Sequence, residues 1–170
     1  MNHRTRIKIC GITRVQDALY AAHRGADSIG LVFHPPSPRS LAIEKAREIR
    51  QAIPPFVTLT ALFLDESEDW IAEVVHQLRP DCLQFHGGES VEFCEGWGVP
   101  YIKSIPMGSI EEPDTYARLY GSAQGFLLDS NVAGRLGGSG DTFDWSKTVS
   151  YTHLRAHETK TRISFSLFWV

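Results

Sequence analysis

The sequence predicts an α/β fold, a (β/α)8 TIM barrel of which about the first six βα units are present. Three observations predict it. Short apolar, β-branched runs alternate with segments of helical periodicity along the first 129 residues. The runs are apolar nearly throughout, as in parallel strands covered on both faces. Polar or reactive residues (Cys10, His34, Asp65, His86, Ser104 and Asp129) sit at or just past the C-terminal ends of six successive runs. In a barrel those ends converge on one mouth. In an open doubly wound sheet they would spread along an edge, with only a few near the crevice. Loops are polar everywhere, which accounts for Ser104 easily but for Cys10 poorly.

The elements follow in order. IKIC (7–10) reads as a buried strand. Thr13 to Gln16 has the pattern of a capping box, and Val15, Ala18, Leu19 and Ala22 mark one helical face that Gly25 stops. SIGLVF (28–33) is the second strand, and Pro35, Pro36 and Pro38 keep the next loop extended. Ile43, Ala46, Ile49 and Ile53 trace a helix that Pro54 and Pro55 end. TLTALFL (58–64) is the third strand. Trp70, Ile71, Val74, Val75 and Leu78 follow at helical spacing, and Pro80 closes the unit. CLQFH (82–86), YIKSI (101–105) and GFLLD (125–129) are strands four to six, with short helices near 90–96 and 113–119. A helix between successive strands returns the chain to its starting end, so the strands run parallel.

The pattern stops after FDWSK. Residues 1–148 are read as a partial barrel domain and 149–170 as a non-native or disordered tail. SYTHLRAHET (150–159) resembles translated sequencing-adaptor read-through, and a (β/α)8 barrel usually takes about 250 residues. A C-terminal fusion partner stays open on this reading.

Composition excludes several classes. With 42% apolar and 22% charged residues and a net charge of −3, the chain is ordinary for a soluble domain. Lys and Arg are scattered, so neither a nucleic-acid surface nor a membrane anchor is expected. Cys10, Cys82 and Cys94 are three and lack CxxC spacing, which argues against a disulfide framework or a zinc site. Free thiols and the absence of a signal core or apolar span point to the cytoplasm.

Four residues and one glycine-rich stretch invite chemistry. Cys10 is followed by Gly11, and Lys8 lies two residues earlier on the same strand face, where its ammonium would favour a thiolate. Most free cysteines are small buried hydrophobes, so position alone leaves both readings open. Asp129 and Asp65 each end an apolar strand, where desolvation suits a carboxyl to act as an acid, though either could be a cap. Arg39 lies in the proline-stiffened loop HPPSPRS, aimed at an anion or simply solvated. GGSGDT (137–142) could cradle a phosphate or be a mobile loop; it is not a Walker A motif, because Asp141 stands where Lys is required.

KICGIT (8–13), GADSIGLVF with SPRS (25–40), LQFHG (83–87) and LLDS…GGSGDTFDW (127–145) occur in order across about 138 residues. This order and spacing resembles phosphoribosylanthranilate isomerase of tryptophan biosynthesis. The resemblance implies a (β/α)8 barrel and an aldose–ketose isomerase that uses no metal or organic cofactor. Its reaction is an Amadori rearrangement of N-(5′-phosphoribosyl)anthranilate to 1-(2-carboxyphenylamino)-1-deoxyribulose 5-phosphate. The resemblance further implies Asp129 as general acid, Cys10 as general base and Arg39 as holder of the anthranilate carboxylate. Gln84 and His86 match the fourth-strand motif and are expected to bind substrate. The only partner implied is the small-molecule substrate, with the protein a monomer or homodimer. The family's phosphate site is formed largely by loops after strands seven and eight, which this chain is not expected to contain. The alternative is therefore a non-catalytic barrel remnant, and the chain as written is expected to be unstable and essentially inactive. An indole-glycerol-phosphate synthase is a weaker alternative, since KICGIT with a catalytic Cys is not a known motif of that enzyme.

Overall fold

Apolar strands alternating with amphipathic helices form a parallel sheet against which the returning helices pack. The computed structural model describes residues 5–129 and the backbone of 167–169. The elements are β1 (Lys8–Cys10), α1 (Val15–His23), β2 (Ser28–Val32), α2 (Ile43–Ala52), β3 (Thr58–Phe63) and α3 (Glu68–Leu78). Then come β4 (Cys82–Phe85), α4 (Val91–Glu95), β5 (Tyr101–Pro106), α5 (Pro113–Leu119), β6 (Gly125–Asp129) and β7 (Leu167–Trp169). Strands β1 to β6 are parallel and lie in sequential order. A doubly wound sheet reverses its strand order at a switch point; this one does not, and six parallel strands form the open arc of a (β/α)8 barrel.

The curvature shows in two side-chain contacts. Adjacent strands lie about 4.8 Å apart, so β1 and β4 in a flat sheet would be about 14 Å apart. Yet the Lys8 ammonium donates to Gln84 Oε1 at 2.6 Å. His86, just past β4, likewise reaches Asp129 on β6.

Strand alternation then divides the side chains. Ile29, Leu31, Phe33, Leu59, Ala61, Phe63, Leu83, Phe85, Tyr101 and Phe126 face the helices and form the core with Ala18, Ala46, Ile49, Ile71 and Val74. Phe33, Phe63, Phe85 and Tyr101 make a ladder with centroids 5.8, 6.2 and 5.9 Å apart. Trp70 of α3 ties into it by donating its indole N–H to Phe33 O at 2.9 Å. The other parity (Lys8, Cys10, Gly30, Thr60, Gln84, Ser104, Leu127 and Asp129) lines the concave side, as the strand registers require.

Helix boundaries agree with the sequence reading except at α1. The capping box expected over Thr13–Gln16 does not form. Arg14 is the N-cap and caps nothing with its side chain. Its guanidinium instead makes two 2.8 Å bonds to Asp17 one turn on. Ser67 and Ser90, by contrast, cap α3 and α4 by accepting from Trp70 N and Phe93 N. In α3 the left-handed C-cap is Arg79, at φ 49°, immediately before Pro80.

Strand β7 pairs antiparallel with β6, Leu127 opposite Phe168. It falls inside the segment 149–170 set apart by the sequence; the rest of that segment, and the glycine-rich stretch 137–142, lie outside the described residues. No helix of the described residues is long and apolar enough to cross a membrane.

Candidate active site on the concave face

Cys10 ends β1, and the chain turns at once through Gly11, whose φ is +80°. Only a residue without a Cβ adopts that conformation without strain. The turn is fastened by Gly11 N and Ile12 N, which donate to Gly30 O at 2.8 and 3.2 Å. Gly30 has a second purpose. A Cβ there would stand 2.7 Å from Cys10 Sγ and 3.0 Å from Lys8 Nζ. The thiol and the ammonium therefore lean over the same glycine, and the same-face placement of Lys8 and Cys10 expected from their spacing is present.

Arg39 reaches this corner from the β2–α2 loop. Ser37 holds the loop, its Oγ accepting from Arg39 N at 3.2 Å, while Ser40 N returns to Ser37 O. The guanidinium donates to Cys10 O at 3.2 Å. It also lies where a Cβ on Gly11 would be, so both glycines flanking Cys10 in space make room for a cation. Arg39 itself is exposed.

Across the face stand Gln84, His86 and Asp129. Gln84 is buried, with the Lys8 ammonium on its oxygen and its amide nitrogen 3.3 Å from His86 Nδ1. His86 Nε2 lies 2.5 Å from Asp129 Oδ2, and both side chains are about one-tenth exposed. The ring N–H direction misses that oxygen, so this is a close electrostatic contact rather than a hydrogen bond. The chain Lys8–Gln84–His86–Asp129 thus links the strand of the thiol to the strand of the carboxyl.

The structure separates two aspartates that the sequence left equal. Asp65 adopts φ 51° and gives its carboxylate to Gly88 N at 2.7 Å, pressed against Gly87. It braces the β4–α4 loop. Asp129 faces His86. His34, another strand-end residue, is engaged by Glu66 at 2.6 Å.

Sequence reasoning missed what lies behind this loop. Lys103 is fully buried on the helix side of β5, where it donates to Glu89 Oε2 at 2.8 Å and to Gly87 O at 2.5 Å. Glu89 accepts in turn from Asp65 N and Gly87 N at 2.9 and 3.0 Å. The signal was present: a lysine inside the apolar run YIKSI has to find a partner. The other two thiols are placed as inert groups. Burial pushes Cys82 up to about 11 against the opposing charge of Lys8, and burial pushes Cys94 up to about 12. A cavity of about 370 Å³ lined by Arg50, Pro54, Phe56 and Asp81 lies at the opposite, N-terminal end of the strands, away from this chemistry. Among the described residues no cluster of His, Cys, Asp and Glu is disposed to hold a metal ion.

A family model for N-(5′-phosphoribosyl)anthranilate (PRA) isomerase matches residues 7–160. The N-(5′-phosphoribosyl)anthranilate isomerase of Alcanivorax borkumensis is 49% identical over 142 residues, covering 84% of this chain and 65% of that protein. The chain thus spans about two thirds of the length of that relative. The crystal structure of phosphoribosyl anthranilate isomerase from Thermotoga maritima superposes with TM-score 0.76 at 37% identity, over 87% of this chain and 72% of that one. A second structure of phosphoribosyl anthranilate isomerase, in complex with reduced 1-(o-carboxyphenylamino)-1-deoxyribulose 5-phosphate, gives TM-score 0.73 at 34% identity, over 87% and 70%. On the strength of a family model spanning most of the chain and of these relatives, the chain belongs to the N-(5′-phosphoribosyl)anthranilate isomerase family.

Proposed function

We propose that the protein carrying these residues catalyses the Amadori rearrangement of N-(5′-phosphoribosyl)anthranilate to 1-(2-carboxyphenylamino)-1-deoxyribulose 5-phosphate. The observation that carries the proposal is the common placement of Cys10 and Asp129 on the concave face, with Arg39 bonded at the Cys10 carbonyl. A solved relative of the same family binds the reduced product at 34% identity.

The reaction needs two proton transfers at neighbouring sugar atoms. Asp129 donates a proton to the ribose ring oxygen as the C1′–O bond breaks. The anthranilate nitrogen lone pair closes to a C1′=N iminium. Cys10, as thiolate, removes the C2′ proton; the C–H electrons become the C1′=C2′ bond and the iminium pair returns to nitrogen. The enolamine then tautomerises to the ketone. Arg39 holds the anthranilate carboxylate through a bidentate guanidinium, orienting C2′ toward the thiol.

The test is steady-state turnover of the full-length protein. Cys10→Ala and Asp129→Ala are each expected to lower kcat by at least about 10²- to 10⁴-fold. Near-normal turnover in either variant overturns that residue's assignment. The alternative of a non-catalytic remnant predicts loss of site residues. All five (Cys10, Arg39, Gln84, His86 and Asp129) are retained.

A further inference from the structure

The hydrogen-bond chain Lys8–Gln84–His86 has only one consistent direction. An ammonium offers donors alone, so the Gln84 atom 2.6 Å from Lys8 Nζ is the amide oxygen. The amide nitrogen is then the atom facing His86 Nδ1 at 3.3 Å. It too offers donors alone, so Nδ1 must carry the lone pair. The proton of the neutral imidazole is left on Nε2, the nitrogen 2.5 Å from Asp129 Oδ2.

We infer that Gln84 is a positioning residue: held by Lys8, it fixes His86 in the Nε2–H tautomer and so sets what the acid Asp129 meets. This deepens the proposed function and rests on that reading for its catalytic consequence. The consequence concerns where the acid's proton can sit. With Nε2 protonated, the nitrogen beside Oδ2 has no lone pair to offer, and a proton on Asp129 cannot be taken up there by the imidazole. In the opposite tautomer an unprotonated, basic Nε2 would lie 2.5 Å from Oδ2 and compete with the ring oxygen of the sugar for that proton. Gln84 is buried at 2% exposure, so solvent does not compete for its amide. Orienting the acid is a role for Gln84 and His86 beside the substrate contact expected of them.

The inference predicts a tautomer, which nuclear magnetic resonance reads without turnover. In the full-length protein with ¹⁵N-labelled histidine, at a pH where the ring is neutral, His86 is expected to show a protonated Nε2 and an unprotonated Nδ1. Gln84→Glu replaces the amide donor by a carboxylate that only accepts, so the proton is expected to move to Nδ1. Lys8→Met releases the amide to turn over, and both tautomers are expected. In Gln84→Glu kcat is expected to fall at least about tenfold, with KM changed less than about threefold. A protonated Nδ1 in the unsubstituted protein overturns the inference, and so does an unchanged tautomer in Gln84→Glu. Should Gln84→Glu fail to fold, the unsubstituted protein and Lys8→Met still decide it. Loss of the isomerase assignment would show in the Cys10 and Asp129 variants and would leave the tautomer as predicted, so the two failures are distinct.

Discussion

Gly30 sits in the middle of an apolar strand, where a β-branched residue would ordinarily serve better. A methyl group there would meet Cys10 Sγ at 2.7 Å and Lys8 Nζ at 3.0 Å. Gly30→Ala is therefore expected to displace the thiol and to lower kcat by about 10²-fold, the usual cost of moving a catalytic group by about an ångström. Circular dichroism and thermal unfolding should show the fold retained; unchanged kcat would mean that the thiol position is not critical. Gly11→Ala acts through the other cation. Its φ of +80° strains any side chain and its Cβ would overlap the Arg39 guanidinium, so KM is expected to rise more than kcat falls. Alkylation of the native protein near neutral pH is expected to spare Cys82 and Cys94, whose thiols burial pushes up to about 11 and about 12. Peptide mapping after iodoacetamide reads this directly, and labelling of Cys94 would show the core to be open. Cys10 and Asp129 stood out as polar residues at strand ends, but their roles, like that of Arg39, came from the family resemblance and not from position. Gly30 did not stand out, because a glycine's reason for being is the neighbour that fills its space, and that neighbour lies on another strand.

The loop after β4 illustrates how one element holds a site without touching it. Lys103, buried on β5, and Glu89, buried after β4, make a pair that also collects Gly87 O, Gly87 N and Asp65 N. Tyr120 adds its hydroxyl to Glu89 O at 2.8 Å. Removing one member leaves an uncompensated buried charge, so Lys103→Met and Glu89→Leu are each expected to destabilise by about 3–5 kcal/mol. Denaturant unfolding measures it, and the double variant should recover much of the loss; a loss under about 1 kcal/mol in either single variant would contradict the buried-pair account. Helices and strands were legible from periodicity, and Pro80 and the prolines at 54 and 55 marked their ends. The cap of α1 was not, because Arg14 turns to Asp17 instead of leaving Thr13 to cap the turn. The buried pair was half legible: Lys103 in an apolar run demanded a partner, but Glu89, in the loop HGGES, reads as an ordinary exposed residue until the strands are adjacent.

At the scale of the whole molecule, strand order and curvature turn a one-dimensional alternation into a site. Sequential parallel strands curl until β1 meets β4 through Lys8 and Gln84, and the polar parity of every strand faces inward. The opposite end of the strands carries structural charge. Burial alone would raise Asp81, but two bonds from Arg50, at 2.5 and 2.8 Å, and Leu59 N at 2.7 Å outweigh it and hold the carboxyl below its ordinary range. A carboxyl depressed on folding contributes stability that is full above its unfolded value of about 3.9 and is lost as pH falls through the lower folded value. Asp81→Asn is expected to flatten the pH dependence of unfolding below about pH 4; an unchanged acid limb would assign it to other carboxylates. The barrel class was legible because strand-end chemistry and apolar strands pointed the same way; the contacts across the arc were not, since no local pattern encodes which strands meet across two others.

Turnover of substrate deuterated at C2′ reads the division of labour between Cys10 and Asp129 directly. In the full-length protein, Cys10→Ser is expected to make C2′–H cleavage limiting and to raise the primary isotope effect on kcat. Asp129→Asn is expected to make ring opening limiting and to suppress that effect. An isotope effect that grows in Asp129→Asn and stays unchanged in Cys10→Ser would contradict the assignment of the base to Cys10 and the acid to Asp129.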